Sequence, residues 1–224
     1  MGKGTTPLER QVAMLMVKIC GITNWTDARR AVEAGANFLG FNFYAGSPRY
    51  IDPARARQIV RRLPKKIEVV GVFVNERENT MLDVARSVGL DYFQLHGDEL
   101  PVTVARLKRT LPVIKAVQVG KSFRAPQLRR FRGADAIMLD GFDRKHRGGT
   151  GKTFAWTVAS RAKRYGRIFL AGGLKPENIA EAIRVAKPYA IDVCSGVEAK
   201  PGKKDAARVK ALMKAVRAAR RKSK

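Results

Sequence analysis

The sequence predicts one α/β domain folded as a (β/α)8 TIM barrel, and three observations carry that expectation. Eight short apolar runs rich in Val, Ile and Phe alternate with stretches of helical periodicity, the pattern of parallel strands joined by crossover helices. The alternation reaches the C-terminus without a linker or low-complexity break, so a single domain absorbs it. Eight such units in 224 residues fit a closed barrel of ~200–250 residues. An open doubly wound sheet fits less well, because it usually has fewer strands and a glycine-rich nucleotide turn after the first.

The expected strands are 17–20, 38–43, 69–74, 92–95, 113–119, 136–139, 168–171 and 190–193. After the first, Asn24 can cap a helix with Asp27 at its third position, and Gly35 closes it. Asp52-Pro53 opens the second helix, where proline loses nothing by lacking an N–H, and Pro64 stops it. Pro176 opens another that ends before Pro188. The last, 205–219, places Val209, Leu212, Met213 and Val216 on one face and its Lys and Arg elsewhere. Residues 1–15 show no supporting periodicity and read as a dispensable extension, 16–219 as the barrel and 220–224 as a basic tail.

Hydrophobic residues make up 45% and charged residues 29% of the chain, which excludes a disordered or collagen-like protein. No stretch approaches the ~18 consecutive apolar residues of a membrane helix. The N-terminus lacks the apolar core of a signal peptide, so a cytoplasmic protein is expected, with no membrane partner. Cys20 and Cys194, the only cysteines, are too few for a disulfide scaffold and lack zinc-ligand spacing, so free thiols and no metal are expected. The formal charge is +26, and 201–224 holds ten basic residues against the single acid Asp205. This favours anionic partners and fits a solvated basic surface; no specific nucleic acid is expected.

Barrels of this class place chemistry at the C-terminal ends of their strands. Those ends carry Cys20, then Gly46-Ser47-Pro48-Arg49, Asn75, His96-Gly97, Asp140, Gly172-Gly173 and Ser195-Gly196. Small residues after strands 7 and 8 let backbone N–H groups approach a ligand, and barrels often bind phosphate there, so Gly172, Gly173, Ser195 and Gly196 form a candidate phosphate cradle. The segment 146–153 invites comparison with the nucleotide P-loop but has His146 where the first glycine should stand, and it follows strand 6. Lys152 in that glycine-rich loop could still close over an anion.

Several motifs stand in a register that resembles one family. They include Lys18-Ile19-Cys20-Gly21-Ile22-Thr23, Gly71-Val72-Phe73-Val74-Asn75, Gln94-Leu95-His96-Gly97, Leu139-Asp140 and Gly149-Thr150-Gly151-Lys152-Thr153-Phe154. Leu170-Ala171-Gly172-Gly173-Leu174-Lys175-Pro176-Glu177-Asn178, Ser195-Gly196-Val197-Glu198 and Pro201-Gly202-Lys203-Lys204-Asp205 complete the set. Across about 16–215 the chain resembles the phosphoribosylanthranilate isomerases of tryptophan biosynthesis.

The resemblance implies an Amadori rearrangement of N-(5′-phosphoribosyl)anthranilate that needs no cofactor. It implies Cys20 as general base, Asp140 as general acid and Arg49 as the cation facing the anthranilate carboxylate. Lys18 shares the strand face of Cys20 and would favour its thiolate. Asp192 and Cys194 share a face of strand 8, Asp192 supporting the substrate together with Lys18, and Cys194 packing. His96 reads as structural. A monomer or homodimer is expected. A bifunctional isomerase of the histidine pathway would end strand 1 in Asp rather than Cys20, and indole-glycerol phosphate synthase would need a longer helical extension and catalytic lysines. A nucleic-acid-binding barrel would explain the charge but leave Cys20, Asp140 and the glycines unused.

Overall fold

Strand β1 (Met16–Cys20) sorts its side chains by alternation, Val17 and Ile19 packing outward under the helices while Met16, Lys18 and Cys20 face inward. The same period runs through β8 (Ala190–Val193), whose Asp192 meets Lys18 across the paired backbones. A computed structural model describes residues 15–141 and 155–222. Within it, β2 (Phe38–Asn42), β3 (Glu68–Phe73), β4 (Tyr92–Leu95), β5 (Val113–Val119), β6 (Ala136–Gly141) and β7 (Ile168–Leu170) complete a closed eight-stranded parallel barrel. The expected fold class is the observed one.

Helices α1 (Trp25–Ala34), α2 (Pro53–Val60), α3 (Glu78–Val88), α4 (Pro101–Leu107), α5 (Thr157–Ala162), α6 (Ile179–Ala186) and α7 (Ala206–Lys222) wrap the barrel. The crossover between β5 and β6 is a 3₁₀ helix, Ala125–Phe131. Asn24 accepts a hydrogen bond from the Asp27 amide at 2.9 Å and Gly35 closes α1 at φ 106°, as its sequence signals require. Asp52 caps α2 by accepting from Ala54 and Arg55. Helix α6 starts at Ile179, later than Pro176, because the Asn178 side chain is engaged in the preceding loop: it accepts from the Lys175 amide and donates to the Gly173 carbonyl.

Two apolar layers hold the barrel. The larger lies between strands and helices and includes the α7 face Val209, Leu212, Met213 and Val216. The smaller fills the N-terminal end of the barrel, where the Phe38 ring packs edge-on against Tyr92 and Phe169 at centroid distances of 5.7 and 5.5 Å. Burying each such side chain contributes ~1.5–3 kcal/mol. Above this floor the inward positions turn polar, with Lys18, Gln94, Asp140 and Asp192 all buried.

Strand β6 runs two residues beyond its apolar run, so Asp140 sits inside the ladder opposite Gln118. A short antiparallel hairpin, β9 (Glu198–Lys200) with β10 (Lys203–Lys204), follows β8 and was not legible as strands. Residues 1–14, most of the expected extension, lie outside the described residues, as do Lys152 and its glycine-rich loop. Leu15 is buried, and its carbonyl accepts from Arg220 on α7, which continues to Lys222.

Candidate active site

Cys20 is the last residue of β1, and the β1–β8 register that pairs Ile19 with Val193 brings Cys194 beside it on the same inward face. Gly21 follows at φ 74°; a side chain there would meet Arg49 Cδ at 2.9 Å and Cys194 Sγ at 3.1 Å, so glycine keeps the strand end open to both. Interaction with the Cys194 thiol, whose sulfur also lies 3.9 Å from Glu198 Oε1, lowers the Cys20 pKa well below the ordinary thiol range and raises that of Cys194 well above it. Burial opposes the Cys20 shift, while the Lys18 and Lys204 ammonium groups reinforce it.

Lys18 Nζ donates to Asp192 Oδ1 at 2.8 Å beneath this pair. Burial pulls the Lys18 pKa down, but the Asp192 and Cys20 charges outweigh it and the net shift is upward. Asp192 is pushed up to about 6, because burial and the neighbouring Cys20 and Asp140 charges exceed what one lysine offsets. One ammonium thus serves two anions.

Opposite stands Asp140 from β6, 4% exposed. His96 Nε2 lies 3.2 Å from its Oδ2, and His96 Nδ1 lies 2.8 Å from Gln94 Nε2. With the Gln94 amide donating to Nδ1, the His96 proton sits on Nε2 and is donated to Asp140. His96 thus lines the cavity beside Asp140 with both ring nitrogens hydrogen-bonded, as a satisfied structural histidine would be.

Arg49 reaches the same opening from the loop after β2, where the Ser47 hydroxyl accepts from both the Arg49 amide and the Asn42 side chain. Its Nε and Nη2 donate to the Glu198 carboxylate, the shortest contact being 2.7 Å. Lys204 Nζ also donates to Glu198, at 2.9 Å. Burial works to raise the Glu198 pKa, yet these two cations bring it below its ordinary value. The β9–β10 hairpin presents Glu198 and Lys204 and is tied to α1 by the Lys204 amide, which donates to Asp27 at 2.8 Å. The motifs contained both residues, but nothing in their spacing marked them as partners of Arg49.

One cavity, open to solvent, joins these groups: Cys20, Arg49, His96, Asp140, Asp192 and Cys194 line it together with Gly172, Gly173 and Ser195. Two expected site residues stand back from its wall. Lys18 is fully buried and reaches the cavity only through Asp192 and Cys20. Gly196 is packed against the loop after β7, where a Cβ would lie 1.9 Å from the Leu174 carbonyl oxygen. Gly172 is equally tight, at 2.4 Å from the Gly141 nitrogen with φ 84°. Among the described residues no cluster of His, Cys, Asp or Glu could hold a metal, and no helix is long and apolar enough to cross a membrane.

A barrel with a buried thiol, an opposed carboxylic acid and glycine loops at its C-terminal end has close relatives. The family model described as N-(5′-phosphoribosyl)anthranilate (PRA) isomerase matches residues 17–215. The N-(5′-phosphoribosyl)anthranilate isomerase of Pelobacter propionicus is 46% identical over 210 residues, covering 94% of this chain and 99% of the relative. The crystal structure of the Thermotoga maritima phosphoribosyl anthranilate isomerase superposes with a TM-score of 0.86 at 43% identity, covering 92% of this chain and all of that one. A second structure, of the isomerase in complex with reduced 1-(o-carboxyphenylamino)-1-deoxyribulose 5-phosphate, gives 0.82 at 42% identity over 92% of this chain and 100% of the other. Fold, site and these likenesses agree: the chain belongs to the N-(5′-phosphoribosyl)anthranilate isomerase family, isomerases of tryptophan biosynthesis.

Proposed function

We propose that the protein converts N-(5′-phosphoribosyl)anthranilate to 1-(2-carboxyphenylamino)-1-deoxyribulose 5-phosphate by an Amadori rearrangement, with Cys20 as general base and Asp140 as general acid. The convergence of these two side chains, from β1 and β6, on one cavity carries the reading. Asp140 protonates the furanose ring oxygen, the ring opens and an iminium forms at C1′. Cys20 removes the C2′ proton to give the enolamine, which ketonises to product. The thiolate required for that step is favoured by the Cys194 hydrogen bond and the Lys18 charge.

Gln94 orients His96 toward Asp140, so the two side chains position the proposed acid. Arg49 receives the anthranilate carboxylate through Nη1, which has no partner among the described residues. The loops of Gly172, Gly173 and Ser195 supply backbone donors for the phosphate, with Gly196 holding the two loops together. The product analogue bound by the related isomerase has the carboxylate and phosphate these two ends would accept. The cytoplasm is the compartment in which the enzyme works.

The test is the consumption of freshly formed phosphoribosylanthranilate followed by fluorescence. Positioned proton transfer contributes ~10²–10⁴-fold, so Cys20→Ser and Asp140→Asn should each lower kcat by about that factor with KM little changed. Near-parental kcat in Cys20→Ser would reassign the base.

A further inference from the structure

The isomerisation uses one thiol, yet the barrel mouth holds two. Cys194 contributes a hydrogen bond that a hydroxyl could equally donate, so its sulfur is chemically idle in the mechanism. Its placement is specific. The β1–β8 register puts Lys18 beside Asp192 and Ile19 beside Val193, and its next step sets Cys20 beside Cys194 on the cavity side. The last paired step, Ile19 with Val193, immediately precedes both cysteines; adjacent strands lie ~4.8 Å apart, and a disulfide spans a Cα separation of ~4.4–6.8 Å. Cys194 Sγ fills the space beside Gly21, the residue that follows Cys20, where a Cβ would lie 3.1 Å from it, and both cysteines line the same cavity. Both line the solvent-open cavity, so a reagent little larger than water reaches them. Lys204 Nζ stands 3.8 Å from Cys194 Sγ, ready to favour a second thiolate once the first sulfur has reacted.

We propose that Cys20 and Cys194 are a peroxide-responsive thiol pair that closes to a reversible disulfide across the mouth of the barrel. In the first step the Cys20 thiolate attacks the O–O bond of hydrogen peroxide. An S–O bond forms, the O–O bond breaks, and the departing hydroxide takes a proton to become water. The Cys194 sulfur then attacks the sulfenic sulfur, the S–S bond forms, the S–O bond breaks and a second water leaves with the Cys194 proton. The two thiols lose two electrons and two protons, and the peroxide is reduced to two waters. A small dithiol reverses the change by exchange. Loss of isomerase activity on closure rests on the reading of Cys20 as the base; closure itself does not.

Full-length protein treated with hydrogen peroxide, quenched by alkylation and followed by activity, intact mass and peptide mapping tests this. The expected result is loss of activity in step with loss of the mass of two hydrogen atoms and with a peptide linked through Cys20 and Cys194, all restored by dithiothreitol. Cys194→Ser, normalised to its own untreated rate, should instead gain oxygen atoms at Cys20 and pass to the sulfinic acid that dithiothreitol cannot recover. The proposal falls if activity disappears while both thiols of the parent remain alkylatable, or if Cys194→Ser recovers as fully as the parent. A link that forms with activity unchanged supports the thiol pair and removes Cys20 from the base role. Absence of the link in a protein whose Cys20→Ser variant is inactive overturns the pair and leaves the base reading intact.

Discussion

An isolated thiol is a weak base, and the proposed role of Cys20 depends on its lowered pKa, which the neighbouring Cys194 sulfur and the Lys18 charge bring about. A lowered thiol pKa means the thiolate is populated from lower pH upward, so the rising limb of kcat/KM should fall below the 9.0 of an ordinary thiol. Cys194→Ala removes the polar neighbour that lowers the Cys20 pKa; its rising limb should move to higher pH and its rate at neutral pH should drop, whereas Cys194→Ser should move it less. A limb that stays in place in Cys194→Ala would show that Lys18 alone sets the thiolate. His96→Ala should lower kcat more than it changes KM in steady-state kinetics, because His96 lies 3.2 Å from the carboxylate of Asp140, the proposed acid.

The β9–β10 hairpin and the glycine loops act as units. Asp27 is buried, accepts from the Lys204 amide and from the Asn24 side chain, and so couples α1 to the hairpin that holds Arg49 through Glu198. Asp27→Ala strands these donors at a cost of ~1–3 kcal/mol and should raise KM more than it lowers kcat, since the freed hairpin misplaces Arg49 rather than the acid or base. Urea unfolding combined with steady-state kinetics checks both parts. The loop after β7 turns at Gly172 and Gly173 with φ of 84° and 64°, conformations a β-branched residue resists. Gly173→Val should therefore weaken substrate binding substantially, and inorganic phosphate should compete with substrate in the parent. Unchanged KM and no competition would move the phosphate to another part of the rim.

Across the whole molecule the charge of +26 far exceeds what one carboxylate and one phosphate require. Arg29, Arg30, Lys210, Lys214 and Arg217 lie together where α1 meets α7, away from the cavity. Such a surface is expected to attract a substrate that carries a carboxylate and a phosphate over a Debye length of ~10 Å at 0.1 M salt without touching the reacting atoms. Raising ionic strength should lower kcat/KM much more than kcat, as measured by steady-state kinetics over a salt series. Equal falls in both would place the cations in the chemistry.

The eight strands were legible because each is a short apolar run that alternates with a stretch of helical periodicity, and these signals act within a few residues of chain. That Cys20, Asp140, Gly172 and Gly173 gather at one end of the barrel was legible because a closed barrel brings all its strand ends together. Alternation even placed Lys18 on the Cys20 face. Three things had no local signal: the Glu198 clamp on Arg49, 149 positions apart; the approach of His96 to Asp140, 44 apart; and the contact of Cys20 with Cys194. Closure of β1 onto β8 and the return of the hairpin over α1 decide them. Caps and alternation are properties of neighbouring residues, whereas proton affinities and ion pairs belong to groups that meet only when the barrel closes.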